Sequence, residues 1–514
     1  MLATSPAVVK FDLPPTPEQQ ACSRAIDQGL NAFWLLVERL QAASREQQPI
    51  HQVEETIFRD VLAMGRCLLR AFVASAGDGD VGPSLTLPGD SLSVPDRTLP
   101  RREAPRARPY LSIFGEVVIE RVTYGEGPID VAPLDARLHL PRRQYSYLLQ
   151  RWLGAFVVDD AHAEAVKKLQ AILGLAIPVK ASEDLNREQA SDVEPFQDSR
   201  PVPPAATEEA ILVVAADCKG VPLVRADLPA AATPPAPAVT RPRPHHRRGK
   251  GEKANKKRMA AVGAVYTIEP FPRTADDVID ELDRREAARR RPRPRNKRVR
   301  AELLVGQVAL FLWLADEVLR RDPERTKPLV FLSDGEPALH EHQEEFLPEG
   351  VVCIPDLFHV LGYLWKAAWC FFDEASDRQR AEAWVEVKLR ALLEGRVASV
   401  IRGLRALATR RGLRGRARKT VEQVTGYLER NRERMKYDEY LAAGYPIGSG
   451  VVEGACRHLV KDRLERAGMR WRRQGAQAML DLRATYLNGE WEAFWTYHVE
   501  KEDDRLYGKF RKAG

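Results

Sequence analysis

The sequence predicts an α/β core interrupted by an all-α insertion and preceded by helical and small β N-terminal modules. Three observations carry that expectation. Short apolar runs with the look of strands end on acidic residues at Asp217, Asp334 and Asp356. Residues 373–440 read as helix throughout and are densely charged. The 79 Lys and Arg nearly balance the 72 Asp and Glu, for a net charge of +7, so basic residues matter only where they are concentrated. They are concentrated, in three stretches, which is the footprint of a polyanion-binding protein.

A length of 514 residues suggests three or four modules, and a 44% apolar fraction is enough to build real cores. Six scattered cysteines without a CxxC pair argue against a zinc ribbon or a disulfide framework. No apolar signal core and no run of ~18 apolar residues is found, so the sequence reads as cytoplasmic, without a membrane partner.

In chain order, 1–76 reads as two antiparallel helices. Ile26, Leu30, Phe33, Leu36, Val37 and Leu40 make one stripe at helical spacing; Ile57, Val61, Leu62, Met64, Leu68 and Phe72 make the other. Residues 77–108, rich in Gly, Pro and Asp, read as a linker. In 109–143 the alternation of FGEVVIERVTYG predicts a small β module. Residues 144–195 read as a helix-turn-helix-like module, with Asp159 or Asp160 and then Ser182 as N-caps and Gly174 as a stop.

The core is expected in two parts, 208–372 and 444–498, separated by a helical insertion at 373–443 and followed by a tail at 499–514. Residues 211–216 form a first strand ending at Asp217. The segment CKG is expected to turn into a second strand, VPLVRA, and residues 261–270 supply a third. Residues 229–258, Pro-rich and then basic, read as a mobile loop. The basic run 289–300 should lead into an apolar helix, before strands ending at Asp334 and Asp356. Three strands, a helix, a strand, a helix and a strand is the order of an RNase H-like fold. There the first and fourth strands lie side by side, so Asp217 and Asp334 should face one point.

Converging carboxylates suit one chemistry well. Phosphodiester cleavage uses two divalent cations ~3.5–4 Å apart, one activating water and one stabilising the leaving oxygen. Mg²⁺ prefers carboxylate, water and phosphate oxygens. The expected set is Asp217, Asp334 and Glu453, holding two Mg²⁺ or Mn²⁺ ions. An Asp that ends a strand is also an ordinary turn former, and SDGEP at 333–337 fits that plainer role equally well. The glycines of GYPIGSG (444–450) would let the chain return tightly, placing Glu453 in the first turn of a new helix.

YPIGSGVVEGACRHLVKDRLERAGMRW, continuing to GAQAMLDLRA, closely resembles the C-terminal block of ISKra-type insertion-sequence transposases, and Glu453 matches that block's catalytic Glu. AADCKGVP and FLSDGEPAL resemble the family's two Asp blocks, and GEKANKKRMAAVGAVYTI the segment between them. Asp356-x-x-His359 is similar to the DxxH element of Mutator-like transposases, in which an all-α insertion occupies the corresponding place. The resemblance covers roughly 105–490. It implies a DDE transposase acting on double-stranded DNA with terminal inverted repeats and on target DNA, as a homo-oligomer, with Asp217, Asp334 and Glu453 on metal and His359 assisting. Arg247, Arg248, Lys256, Lys257 and Arg258 would grip phosphates from one cluster, residues 289–300 from a second, and Arg466, Arg470, Arg472 and Arg473 from a third. Two alternatives stand beside it: a silent, transposase-derived DNA-binding protein, and an RNase H-like nuclease without strand transfer.

Overall fold

Thr16 Oγ1 accepts from Gln19 N, and Gln19 Oε1 accepts from Thr16 N, a reciprocal cap that starts α1 (Pro17–Arg45). The computed structural model describes residues 16–89, 96–128, 130–227, 257–283, 290–466 and 468–511. Its chain divides into two units, Met1–Asp192 with Glu492–Gly514, and Val193–Trp491.

In the first unit α1 pairs with α2 (Ile50–Ser75), as the two-helix expectation had it. Most of the expected stripe residues stay exposed, however. The seam is built from small residues, with Ala25, Gly29, Ala43 and Ala71 buried beside Leu36. At Gly29 an added Cβ would already stand 3.5 Å from Cys67 Cβ, so the backbones approach too closely for large side chains. Leu69 and Val73 turn another face of α2 towards Val117, Ile119, Leu134 and Leu140 of the small β module.

Residues 77–108 are more than a linker. They carry the antiparallel pair β1 (Ser84–Leu87) and β2 (Arg97–Pro100), held by Thr86–Thr98 and Leu85–Leu99 pairing, and the first residues of β3 (Arg106–Ser112). The buried Tyr124 ring, whose hydroxyl donates to Asp80 and Gly82, draws this segment in. β3 and β4 (Gly115–Arg121) form the expected hairpin.

Then come α3 (Pro133–Arg137), α4 (Tyr147–Val157), α5 (His162–Leu173) and α6 (Val179–Ala190). Gly174 ends α5 at φ 71°, as expected of a left-handed stop. The caps differ. α5 begins after Ala161, not after Asp159 or Asp160, and Asp160 pairs with Lys168 instead. α6 begins three residues before Ser182, whose hydroxyl faces His162 Nδ1 at 2.9 Å. On α6, Lys180 and Arg187 both pair with Asp184, while Glu183 and Glu188 share the helix. This helix therefore presents paired charges rather than a free basic edge.

The second unit starts with α7 (Val193–Ser199) and is organised by one sheet. Residues 211–216 are apolar at every position, a pattern suited to a strand covered on both faces. They open β5 (Ile211–Pro222), which runs straight through CKG without the expected turn. β6 (Lys257–Ile268) pairs antiparallel with all of it, and that twelve-residue register keeps 217–222 extended. α8 (Ala275–Asp283) follows. The basic run at 289–300 then supplies β7 (Arg295–Glu302), where Arg298 is buried against Glu317 at 2.6 Å and Arg300 pairs with Glu302. Arg298 and Arg300 are therefore structural, Arg290, Arg291, Arg293 and Arg295 stay exposed, and β7 takes the third-strand place expected of 261–270.

The remaining elements are α9 (Gln307–Arg321), β8 (Leu329–Ser333), α10 (Pro337–Phe346), β9 (Val352–Pro355) and α11 (Leu357–Ala368). The helical stretch contains α12 (Arg378–Leu393), α13 (Val397–Arg410), α14 (Gly415–Arg430) and α15 (Tyr437–Ala442). After it come α16 (Gly450–Ala455), a π turn (Cys456–Lys461), α17 (Asp462–Leu464) and α18 (Arg473–Leu487).

The five strands lie in the order β7-β6-β5-β8-β9; β5–β8 and β8–β9 are parallel, and the other two pairings are antiparallel. One face packs Leu212, Val214, Ala216 and Phe331 against Leu310, Phe311 and Leu314 of α9. α9 comes so near that a Cβ at Gly263 would sit 2.9 Å from Leu310 Cδ1. α16 packs on β5 and β6.

α19 (Trp491–Arg511) belongs from Glu492 onward to the first unit, so the expected division at 498 falls inside one helix. Asp192 explains the attachment. It takes both guanidinium nitrogens of Arg505 at 2.6 and 2.8 Å and lies 2.6 Å from His498 Nδ1.

Candidate active site

Two strand ends create the site. In the β5–β8 register Ala215 stands opposite Leu332, so Asp217 and Asp334, each two positions further on, reach the same level of neighbouring strands. Asp217 Oδ1 accepts from Cys218 N at 2.6 Å, and its Oδ2 lies 3.3 Å from the Cys456 thiol. Asp334 also plays the plainer role: its Oδ1 accepts from Glu336 N at 2.9 Å, closing the turn in which Gly335 adopts φ 83°.

Glu453 lies in the first turn of α16, as the sequence suggested. Of the three glycines in 444–450, only Gly444 has positive φ (76°), and there an added Cβ would meet Phe271 N at 2.6 Å. Gly448 serves close approach instead, with the Phe358 ring 3.1 Å from where its Cβ would be. Glu453 Oε1 is 3.9 Å from His359 Nδ1, and Asp356 Oδ2 is 4.0 Å from the same nitrogen. Among the described residues, Asp356, His359 and Glu453 form the one group of three ligating side chains whose atoms all lie within 4.8 Å of one another.

Asp356 is nevertheless the least available of the acids. It is fully buried, and both oxygens are engaged: Oδ1 caps α11 by accepting from Phe358 N at 2.6 Å, and Oδ2 accepts from Ser449 N at 2.8 Å and from Ser449 Oγ. It ties the end of β9 to the residue preceding α16, and so positions both His359 and Glu453. The insertion contributes as well. Tyr427 of α14 donates to the Asp334 carbonyl at 2.9 Å, and Tyr437 of α15 to the Pro355 carbonyl at 2.7 Å. These bonds fix the ends of β8 and β9 from outside the sheet.

The electrostatics show the acids sharing one space. Burial pushes the Asp334 carboxyl above its ordinary range, and the charges of Asp217 and Asp356 push it further. Glu453 is raised by burial and then by Asp356 and Asp217, partly offset by His359. Glu336 is raised by burial, Asp334 and Asp217. His359 is raised chiefly by Asp356; at 4.0 Å this is attraction between charges rather than a formed hydrogen bond. Asp217 thus acts on all three raised acids, and Glu336 is a member that sequence reasoning missed. Its place two residues after Asp334, in SDGEP, was the only available signal.

Carboxylates that repel one another and expose oxygens suit a hard divalent cation. Asp334 and Glu453 have oxygens to offer, and Asp217 and Glu336 stand beside them. A testable consequence follows from the sign of the shifts. An acid raised in the fold stabilises it fully below its unfolded pKa, and that contribution is lost as pH rises through the folded value. Asp334, Glu336 and Glu453 therefore disfavour the fold at neutral pH unless a cation offsets their charge. Added Mg²⁺ is expected to raise the melting temperature by roughly 2–4 °C at pH 7.5 and hardly at all at pH 4.5. Calorimetry showing equal shifts at both pH values would argue against a carboxylate site.

The basic residues divide. Arg247, Arg248 and Lys256 lie outside the described residues, as does most of the expected basic loop. Lys257 and Arg258 open β6, opposite Pro222 and Val221. Lys257 pairs with Glu465, and Arg258 donates to the Leu304 carbonyl at 2.8 Å. The helix carrying Glu453 does not run on to the third cluster. α17 ends at Leu464, and Trp471 then bridges to the end of β5, donating to Pro222 O at 3.0 Å and accepting from Val224 N at 2.9 Å. Arg466, Arg470 and Arg472 are exposed there, and Arg473 opens α18, its backbone N–H bound to Asp227. Lys257 and Arg258 thus share one end of the β5–β6 pair with Arg470, Arg472 and Arg473. Pro222 is five residues from Asp217, roughly 17 Å along an extended strand. Trp471 is packed into the fold: its indole N–H donates to Leu464 O at 3.1 Å, and the Arg463 guanidinium lies over its ring.

No protein-family model and no curated protein matches the chain. Among the described residues, no helix is long and apolar enough to cross a membrane.

Proposed function

We propose that the second unit is an RNase H-like nucleotidyl-transfer core, and that the chain is a DDE-type DNA transposase that cleaves phosphodiesters at the ends of an insertion sequence and joins them to target DNA. The observation that carries this reading is the level placement of Asp217 on β5 and of Asp334 just past the end of the adjacent parallel strand β8, with Glu453 brought towards them on α16. The strand order, three antiparallel strands followed by two parallel ones, supports the fold part of the reading. The resemblance of 445–484 to the C-terminal block of ISKra-type transposases supports the activity.

In this reading Asp217, Asp334 and Glu453 hold Mg²⁺ or Mn²⁺, which when bound activates water or a 3′-hydroxyl and stabilises the leaving oxygen. His359, made more basic by Asp356, offers an N–H to a phosphate oxygen near Glu453. Asp356 holds His359 and Ser449 in place. Lys257, Arg258, Arg466, Arg470, Arg472 and Arg473 hold duplex DNA by its phosphates, so affinity should fall steeply with salt.

Glu453→Gln is the informative variant, because it keeps size and helix propensity and removes one charge. The expected protein is folded, melts within ~2 °C of wild type, binds Mn²⁺ more weakly by calorimetry and performs no strand transfer. Strand transfer at the wild-type rate would remove Glu453 from the reaction. A pre-cut end with a free 3′-hydroxyl separates the transposase reading from a nuclease: joining to target DNA supports the first, and cleavage without joining the second.

A further inference from the structure

A cavity of about 260 Å³ lies where the 444–450 return meets the start of α11 and the segment that follows β6. Its walls are mostly apolar, with the rings of Tyr266, Phe271, Phe358 and Tyr445 among them. Two arginines line it as well. Arg273 has only 7% of its side chain exposed, and its Nε has no hydrogen-bond partner among the described residues. Glu281 stands 3.8 Å from Arg273 Nη1, too far for a hydrogen bond. Arg291, 52% exposed, pairs with the same Glu281. A buried cation with an unfilled donor is costly, so Arg273 leaves a place for an acceptor brought in from outside.

We propose that this cavity binds one unpaired nucleotide, with the base inside and the phosphate at the exposed end beside Arg291. Three features select that ligand. The volume falls below the roughly 300–1,000 Å³ of sites for drug-sized molecules and suits a single ring system. The aromatic walls offer flat faces on which any base can stack. Arg273 supplies the polar complement. A guanidinium donates in parallel to O6 and N7 of guanine, whereas adenine has one acceptor on that edge, so guanine should bind best. A bare phosphate would leave the aromatic walls unused, and a purely apolar ligand would leave Arg273 Nε unfilled. Phe358 directly precedes His359, and Val451 lies two residues before Glu453, so a nucleotide held here lies beside the acids. That the nucleotide belongs to bound DNA rests on the proposed function. Unstacking it costs least where pairing is already lost, as at a cut end.

The test has two arms, both on the full-length chain. Saturation-transfer NMR with dGMP reads the cavity independently of any activity on DNA. Wild type is expected to saturate the guanine H8 proton, and Arg273→Met and Phe358→Ala to lose that signal. Fluorescence anisotropy then compares a duplex carrying a single unpaired 3′ guanine with the same duplex carrying an abasic residue there. Wild type is expected to prefer the guanine by at least ~5-fold. Both variants should lose the preference and keep the affinity for the abasic duplex. Phe358 is 44% exposed, so its alanine variant serves if Arg273→Met fails to fold. A wild type that gives no dGMP signal would overturn the proposal, as would a guanine preference that persists in folded Phe358→Ala. A dGMP signal lost in the variants, without any preference between the duplexes, would make the ligand a free nucleotide and overturn its source in DNA. A chain that binds neither duplex would overturn the proposed function, while the dGMP arm still decides the cavity.

Discussion

Asp217→Ala and Asp334→Ala are each expected to abolish DNA cleavage, by at least ~10³-fold, while leaving DNA affinity within about twofold. The two acids reach one level at the ends of neighbouring strands, and the charge of Asp217 raises Asp334, so removing either should dismantle the same cation site. The basic residues stand apart from it, at the end of β5 near Pro222. Without divalent cation the removal of a repelling charge should offset the lost acceptor of Cys218 N or Glu336 N, so both variants should melt within about 3 °C of wild type. Cleavage assays with and without Mg²⁺, alongside fluorescence anisotropy on the same duplex, check both halves. A variant that cleaves at the wild-type rate, or one that loses cleavage only because it no longer binds DNA, would break the division of labour.

Asp356→Ala is expected to act in the opposite way, through stability. Its buried carboxylate accepts from Phe358 N, Ser449 N and Ser449 Oγ, and alanine strands all three donors and uncaps α11. The expected loss is ~3–5 kcal/mol, a fall of roughly 5–15 °C in melting temperature. His359 should lose its raised pKa in the same variant, because Asp356 is its main cause. An NMR titration of His359 in Asp356→Asn, which keeps the shape but not the charge, isolates that second effect. An Asp356→Ala protein as stable as wild type would mean that the β9–α16 tie contributes nothing.

Three acids of the candidate site were legible in the sequence. Asp217, Asp334 and Glu453 each sit at the edge of a recognisable pattern: an apolar strand, a strand with its turn, a glycine-rich return. Their approach to one another follows from the order of the elements. Asp356 ends a strand in the same way, but its burial and its tie to Ser449 depend on a contact across 93 residues, which no local pattern encodes. Glu336 became part of the cluster only because the Asp334 turn points it there.

Strand membership failed for a related reason. The segment RPRNKRVRAE looks like a solvated basic run, yet Arg298 finds Glu317 on α9 and folds in as β7. Such a strand is not visible until its partner is. At the N-terminus the periodicity was plain but its use was not. Spacing reveals that Ile26, Leu30 and Leu68 need covering; it does not reveal that the hairpin would close through Gly29 and the alanines instead.

The central claim, that Asp217, Asp334 and Glu453 form one metal-dependent DNA-joining site, is tested most directly by a single strand-transfer reaction. Purified protein is given a duplex copied from the flanks of its own reading frame, pre-cut to a 3′-hydroxyl, with a supercoiled plasmid as target. Covalent joining in Mg²⁺ or Mn²⁺, absent in chelator and absent in Asp217→Ala, is the expected result. Joining that survives chelation or the loss of Asp217, or a folded, DNA-bound wild type that joins nothing in either metal, would contradict it.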